Sequence, residues 1–200
     1  MPEAEDFSCP DNLYMEMPSG KRWYMDHPTF DLEDIAYSLA NQNRFNGTGR
    51  RFMSVAEHSV RVSYLINEYQ HAADGGLKVN AIEGLVHDVP EAYLGDVPGP
   101  WKALLPDFVK LEQHIWRHFI MSPLMIKHNV PEKHTTACKF ADWRALFIEA
   151  REIMPTQGRD WATPDYWQSV HATVNDPPCW FWSPAEAEER FILRFHELTW

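Results

Sequence analysis

The chain has little cysteine, and none of it is patterned. Cys9, Cys138 and Cys179 are the three cysteines in 200 residues, far apart and without a CxxC. An odd, scattered set excludes a disulfide framework and fits a reducing cytoplasm. Each reads as a buried thiol, as free cysteines usually are. No apolar run approaches the roughly 20 residues that a membrane-spanning helix needs, so no membrane partner is expected. The N-terminal stretch MPEAEDFSCPDN is acidic and polar and lacks the basic and apolar regions of a secretory signal. Basic residues are also short: 18 Lys and Arg against 29 Asp and Glu leave a net charge of −11. A field of that sign excludes long nucleic acid as a partner unless a basic face is strongly segregated, and no block of Lys and Arg exists. The nearest grouping, Arg44, Arg50 and Arg51, suits one small phosphate group. Internal repeats, low-complexity linkers and period-2 alternation are all scarce. The expectation is a single all-α domain over 1–200, large enough to bury a core.

What is present is helical spacing with clear punctuation. Residues 1–30 hold many Pro, Gly and aromatic residues and read as an extended lead-in, with a short hairpin around Ser19-Gly20. Asp31 can cap a helix that carries Leu32, Ile35, Ala36 and Leu39 on one face. A loop over 43–53 follows. Ser54 opens the next helix, and Glu57 stands where a capping box would close. A third helix is expected over 80–88, with Pro90 forcing a turn or distortion. The Gly and Pro content of 93–106 predicts loop. Further helices are expected at 107–120, 123–128 and 132–153, then an irregular stretch over 155–182. Ser183, Pro184 and Glu186 announce a capped final helix over 183–200.

Three places combine chemistry with an inward-facing position. His58 shares a helix face with Val55, Val62 and Leu65, so it needs a buried partner, which an ordinary carbonyl would satisfy as well as a metal. His87-Asp88 follows an apolar helical stretch; imidazole and carboxylate both suit borderline divalent metals, although such a pair also decorates ordinary helix ends. Asp142 has Cys138, Ala145, Leu146 and Glu149 as helical neighbours. A buried carboxylate is costly unless it is paired, for instance with Arg144 or Lys139, or bound to a metal.

The order His58, His87-Asp88, Asp142 resembles the HD-domain phosphohydrolases. The likeness extends to Arg44-Phe45, to Ser54-Val55-Ala56-Glu57-His58-Ser59-Val60, and to His87-Asp88-x-x-Glu91-Ala92-Tyr93-Leu94-Gly95-Asp96-x-Pro98-x-Pro100-x-Lys102. This longer pattern is similar to YfbR-like 5′-deoxynucleotidases and to small phage deoxynucleoside triphosphohydrolases, and covers 31–153. The resemblance implies an all-α HD-type bundle in which His58, His87, Asp88 and Asp142 ligate a divalent cation: Co²⁺, Mn²⁺, Zn²⁺ or Mg²⁺. Such a cation would polarise a phosphoryl oxygen and activate water. The implied reaction releases phosphate or triphosphate from a deoxynucleotide, with dATP and dAMP as plausible substrates. Arg44 matches the family arginine and suits a phosphate. Glu91 and Asp96 match two acidic residues that relay protons or hold a second cation. Lys102 is placed to reach phosphate. A homo-oligomer is also implied.

Departures from the pattern matter. Phe45 stands where the deoxynucleotidases carry Trp, and its ring can stack on sugar or base. Val89-Pro90 replaces small residues before Glu91 and shifts the helix axis there. Arg51, with Arg50, would suit a di- or triphosphate if it reaches the site, and would otherwise be a solvated loop residue. Most of the nine tryptophans read as core or subunit contacts, and His114, His118, His128 and His134 as surface or packing residues. Rival functions are hydrolysis of another nucleotide phosphoester and a regulatory nucleotide-binding module without chemistry.

Overall fold

A computed structural model describes residues 13–72, 81–161 and 178–200, with side chains omitted over 67–72. The chain folds as an all-α protein with one small hairpin. Strands β1 (Met15–Glu16) and β2 (Arg22–Trp23) pair antiparallel around Ser19-Gly20. Helix α1 (Leu32–Asn41) begins at Asp31, whose carboxylate accepts from the Asp34 amide, and buries Leu32, Ile35, Ala36 and Leu39. After a 3-10 turn at Phe45–Gly47 comes the long α2 (Val55–Ala72), then α3 (Ala81–Val86). Two short helices follow, α4 (Glu91–Leu94), which overlaps the start of the 93–106 segment expected to be loop, and α5 (Gly99–Lys102), which lies inside it. Among the described residues, helices α6 (Pro106–Ile120), α7 (Thr136–Ile153) and α8 (Pro184–Thr199) complete the order. No helix among the described residues is long and apolar enough to cross a membrane.

Helix α2 is the centre of the packing. Its Val55, Ala56 and Val60 belong to one core with α1, α3, α6 and α8. Its Val62, Leu65 and Ile66 belong to a second core with Cys138, Ala141, Ala145 and Ile148 of α7. Apolar residues on more than one flank mark a helix wrapped by neighbours. From Val55 to Ile66 every α2 side chain except Tyr64 is therefore removed from water, and the buried polar ones, Glu57, His58, Ser59, Arg61 and Ser63, need partners inside.

Several boundaries differ from the expectations. The segment 123–128 forms only a 3-10 turn at Ile126–His128, closed by Asn129 in the left-handed region; a six-residue window is too short to nucleate a helix unaided. Helix α7 starts at Thr136, not 132, because the Thr135 hydroxyl accepts from the Cys138 amide and takes the cap. At α2 the capping box is half made. Ser54 Oγ accepts from the Glu57 amide, but the Glu57 carboxylate turns away to the amides of Trp180, Phe181 and Trp182 at 2.9, 3.1 and 2.9 Å. The box at Ser183 is complete. Trp23 and Trp116 are core, whereas Trp101, Trp143 and Trp200 are exposed. Cys9 and Trp167 lie outside the described residues; Cys138 and Cys179 are buried free thiols.

A candidate metal centre at the head of a cleft

The packing of α2, α3 and α7 brings three elements to one point. His58 sits in the first turns of α2, fully buried. His87 and Asp88 stand just past α3, in a turn whose amides bond back to residues three earlier, Val89 to Val86 and Glu91 to Asp88. Pro90 supplies no N–H and stands at the N-cap of α4, where none is needed. Asp142 faces them from α7. The His58 Nε2 is 3.1 Å from Asp142 Oδ1 and 3.6 Å from Asp88 Oδ2. The His87 Nε2 is 3.2 Å from Asp88 Oδ2 and 3.8 Å from Asp142 Oδ1. Ligand atoms of His58, His87 and Asp88 all lie within 4.8 Å of one another. Around a cation with bonds of about 2.1 Å, neighbouring ligand atoms stand about 3.0–3.4 Å apart. Of the four imidazole–carboxylate edges, the longest, 3.8 Å, needs to close by about half an ångström to reach that geometry; Asp142 stands outside the grouping that holds the other three ligand atoms.

The hydrogen bonds leave both imidazoles poised toward this point. Nδ1 of His58 donates to Glu149 Oε1 at 2.8 Å, and Nδ1 of His87 donates to the Gly84 carbonyl at 2.9 Å. Each Nε2 is buried and makes no hydrogen bond. Buried nitrogens without a hydrogen bond are rare, and an outer bond on Nδ1 that directs Nε2 inward is the usual arrangement of a metal-binding histidine. The residues thus fit a divalent cation. Without one, the surrounding carboxylates favour the protonated rings. Burial and Arg44 oppose the His58 imidazolium, but Glu149 and Asp142 overcome them and raise its pKa. At His87 burial is likewise overcome, by Asp88 and Asp142, and the pKa rises well above its ordinary value. Burial works against the two carboxylates too, yet the imidazoles hold Asp88 and Asp142 well below the usual range.

Glu149 is the member that sequence reasoning missed as a site residue. It is fully buried on α7 and accepts from His58 Nδ1 and from Arg44 Nε at 3.0 Å, with Arg61 Nε at 3.7 Å. A legible signal existed: it lies two helical turns beyond Asp142, on the same face. Gln42 is a second omission. It donates to the Glu91 carbonyl and accepts from the Asp96 amide, tying α1 to the loop after α4.

Arg44 is nearly buried at the base of a loop pinned by its amide bond to Met53 and by the Asn43–Ser54 bridge. Its Nη1 is 3.9 Å from Asp88 Oδ2, so its charge borders the cluster. Phe45 follows at φ 55, a costly conformation for an aromatic residue. Arg44, Phe45, Arg51 and Asp96 do not line the cleft described below. Phe45 packs near Trp161, and the Arg51 guanidinium covers Phe181 at 3.6 Å.

A cleft of about 500 Å³ opens on the cluster, lined among others by His87, Asp88, Glu91, Lys102, Trp116 and Asp142. Lys102 donates to Glu91 Oε1 at 2.9 Å and pairs with Glu112 at 2.7 Å. Glu91 Oε2 is buried without a partner. Burial, aided by Asp88 and Asp96, pushes the Glu91 pKa well above its ordinary value against the pull of Lys102. Burial raises Asp96 as well, with Arg44 opposing.

Across 186 residues the chain is 33% identical to the uncharacterized protein YfdR of Escherichia coli (strain K12), covering 90% of this chain and 93% of that protein. The chain belongs to the YfdR family. It is also 37% identical over 147 residues to an uncharacterized protein of Rhodobacter capsulatus, covering 70% of this chain and 72% of that one. No family model matches the chain.

Proposed function

We propose that this member of the YfdR family is a divalent-cation-dependent phosphohydrolase acting on nucleotides, in keeping with its resemblance to HD-domain enzymes. One observation carries the reading: two buried imidazole nitrogens without hydrogen bonds face two carboxylates at the head of an open cleft. A cation held by His58, His87, Asp88 and Asp142 supplies Lewis acidity toward a phosphoryl oxygen and a water.

The rest is work for the chain's own groups. Glu149 holds the His58 ring and the Arg44 guanidinium at once, so the two keep a fixed relation. Arg44 offers charge to phosphate beside Asp88, where positioning and neutralisation are the main demands of phosphoryl transfer. Glu91, whose pKa burial pushes well above the ordinary carboxylate value, is suited to deliver a proton to the departing oxygen. Lys102 fixes the Glu91 carboxyl from its other oxygen. The cleft has the size of an ordinary small-molecule pocket, and Trp116 gives it an aromatic wall for a base.

Phosphate release should be measured over dNMP, NMP, dNTP and NTP panels with Mn²⁺, Co²⁺, Mg²⁺ and Zn²⁺. Cation-dependent release that falls at least about a hundredfold in Asp142→Asn is the expected result. Absence of release from every nucleotide, with tight binding of one, would replace the enzyme with a binding module.

A further inference from the structure

We infer that Glu83, His134 and Cys138 form a second cation site, selective for a thiophilic divalent cation such as Zn²⁺, that clamps α3 to α7. The three side chains come from three places: Glu83 from α3, His134 from the loop before α7, and Cys138 from the first turn of α7. One ligand atom of each lies within 4.8 Å of the other two. His134 Nδ1 is buried and makes no hydrogen bond, although Glu83 Oε1 is only 3.7 Å away. A ring nitrogen left so is costly unless something else occupies the space it faces.

The neighbours are arranged as a metal's outer shell would be. Glu83 is fully buried, and its carboxylate accepts from the Thr135 amide at 2.7 Å and the Thr135 hydroxyl at 2.9 Å. Those bonds orient the carboxylate without using all its lone pairs. The same Thr135 caps α7 and so fixes where Cys138 begins its turn. Binding would release the Cys138 proton to solvent and leave its sulfur on the cation. A set of nitrogen, oxygen and sulfur favours Zn²⁺ or Co²⁺ over Mg²⁺ and Mn²⁺. Three protein ligands leave a fourth position, and His134 borders the cleft from which water can fill it.

The place in the fold gives such a site a consequence. Helix α3 delivers His87 and Asp88, and α7 delivers Asp142 one turn beyond Cys138. The His134 ring stands edge-on to the His87 ring at 6.3 Å. A cation joining Glu83 to Cys138 therefore sets the spacing between the two halves of the first centre. Among the four first-centre ligands there is no sulfur, so the two sites can be told apart spectroscopically.

The test is a titration of the full chain with Co²⁺, Zn²⁺ and Mn²⁺, read by metal analysis and absorption. Co²⁺ and Zn²⁺ should bind at two equivalents and Mn²⁺ at one. The cobalt protein should show a thiolate-to-cobalt charge-transfer band. Cys138→Ser should lose that band and one equivalent, with circular dichroism unchanged, and His134→Ala should weaken the same equivalent. Asp142→Asn should keep the band while losing the other equivalent, so failure of the first centre is read separately. A wild-type protein without the band at saturating Co²⁺ would overturn the assignment. So would a band that survives Cys138→Ser, since it would arise at Cys9 or Cys179.

Discussion

Replacing Glu149 by Gln is the sharpest test of how the metal centre is held. In the folded protein three donors, His58 Nδ1, Arg44 Nε and Arg61 Nε, converge on two carboxylate oxygens at 2.8, 3.0 and 3.7 Å. Burial raises the cost of that charge, and His58 and Arg44 more than offset it, which is why the Glu149 pKa is lowered. Glutamine keeps the volume but has one acceptor oxygen and an NH₂ that can only donate. One of the close donors then meets another donor, and the buried guanidinium of Arg44 loses its principal counter-charge. Removing one partner of a buried ion pair costs about 3–5 kcal/mol. Losing the outer partner of a metal-bound histidine weakens metal affinity about 10–100-fold. Urea unfolding with chelator present measures the first quantity, and calorimetric titration with Mn²⁺ or Zn²⁺ the second. A Glu149→Gln protein of wild-type stability, binding metal within about twofold of wild type, would refute this account of the carboxylate.

The pH dependence follows from the two imidazoles. Their pKa values lie above the ordinary 6.5 in the metal-free protein, so the stability their protonation contributes is fully present below 6.5 and disappears as pH rises through the folded values. With chelator the unfolding midpoint should therefore fall over that window, while cation affinity rises over it as proton competition ends; a midpoint independent of pH there would contradict the carboxylate–imidazolium pairing. Gly84→Ala should destabilise the chain by about 1–3 kcal/mol. The added Cβ would meet the Ser63 Cα and the Val62 carbonyl oxygen at 3.1 Å each, backbone that cannot swing aside. Because Gly84 also receives the His87 Nδ1 bond, metal affinity should drop with stability; denaturant midpoints and metal titration on the same preparation check both.

The legible features were local ones. Capping by Asp31 and Ser183 uses hydrogen bonds spanning three residues, and the apolar faces of α1, α2, α6 and α7 repeat at helical spacing, so a short window contains all the information. The helix face of Asp142, shared with Cys138 and Glu149, was readable in the same way; its side chain is not buried there but opens to the cleft, 38% exposed. Glu57 shows where this stops. Its spacing from Ser54 predicts a capping box, yet three amides from residues 180–182 claim its carboxylate. Nothing near Glu57 in the chain marks those partners.

The amino-acid sequence by itself determined an all-α chain of acidic net charge, the faces of its long helices, and which histidines and aspartates were able to be ligands. Tertiary structure alone decided that Nε2 of His58 and His87 meet Asp88 and Asp142, that Glu149 joins His58 to Arg44, and that Arg51 rests on Phe181 away from the cleft. The physical reason is reach. Helix propensity and capping act over a few neighbouring residues, whereas a buried charge chooses its partner from whatever the packed helices bring close, across separations such as the 105 residues between Arg44 and Glu149.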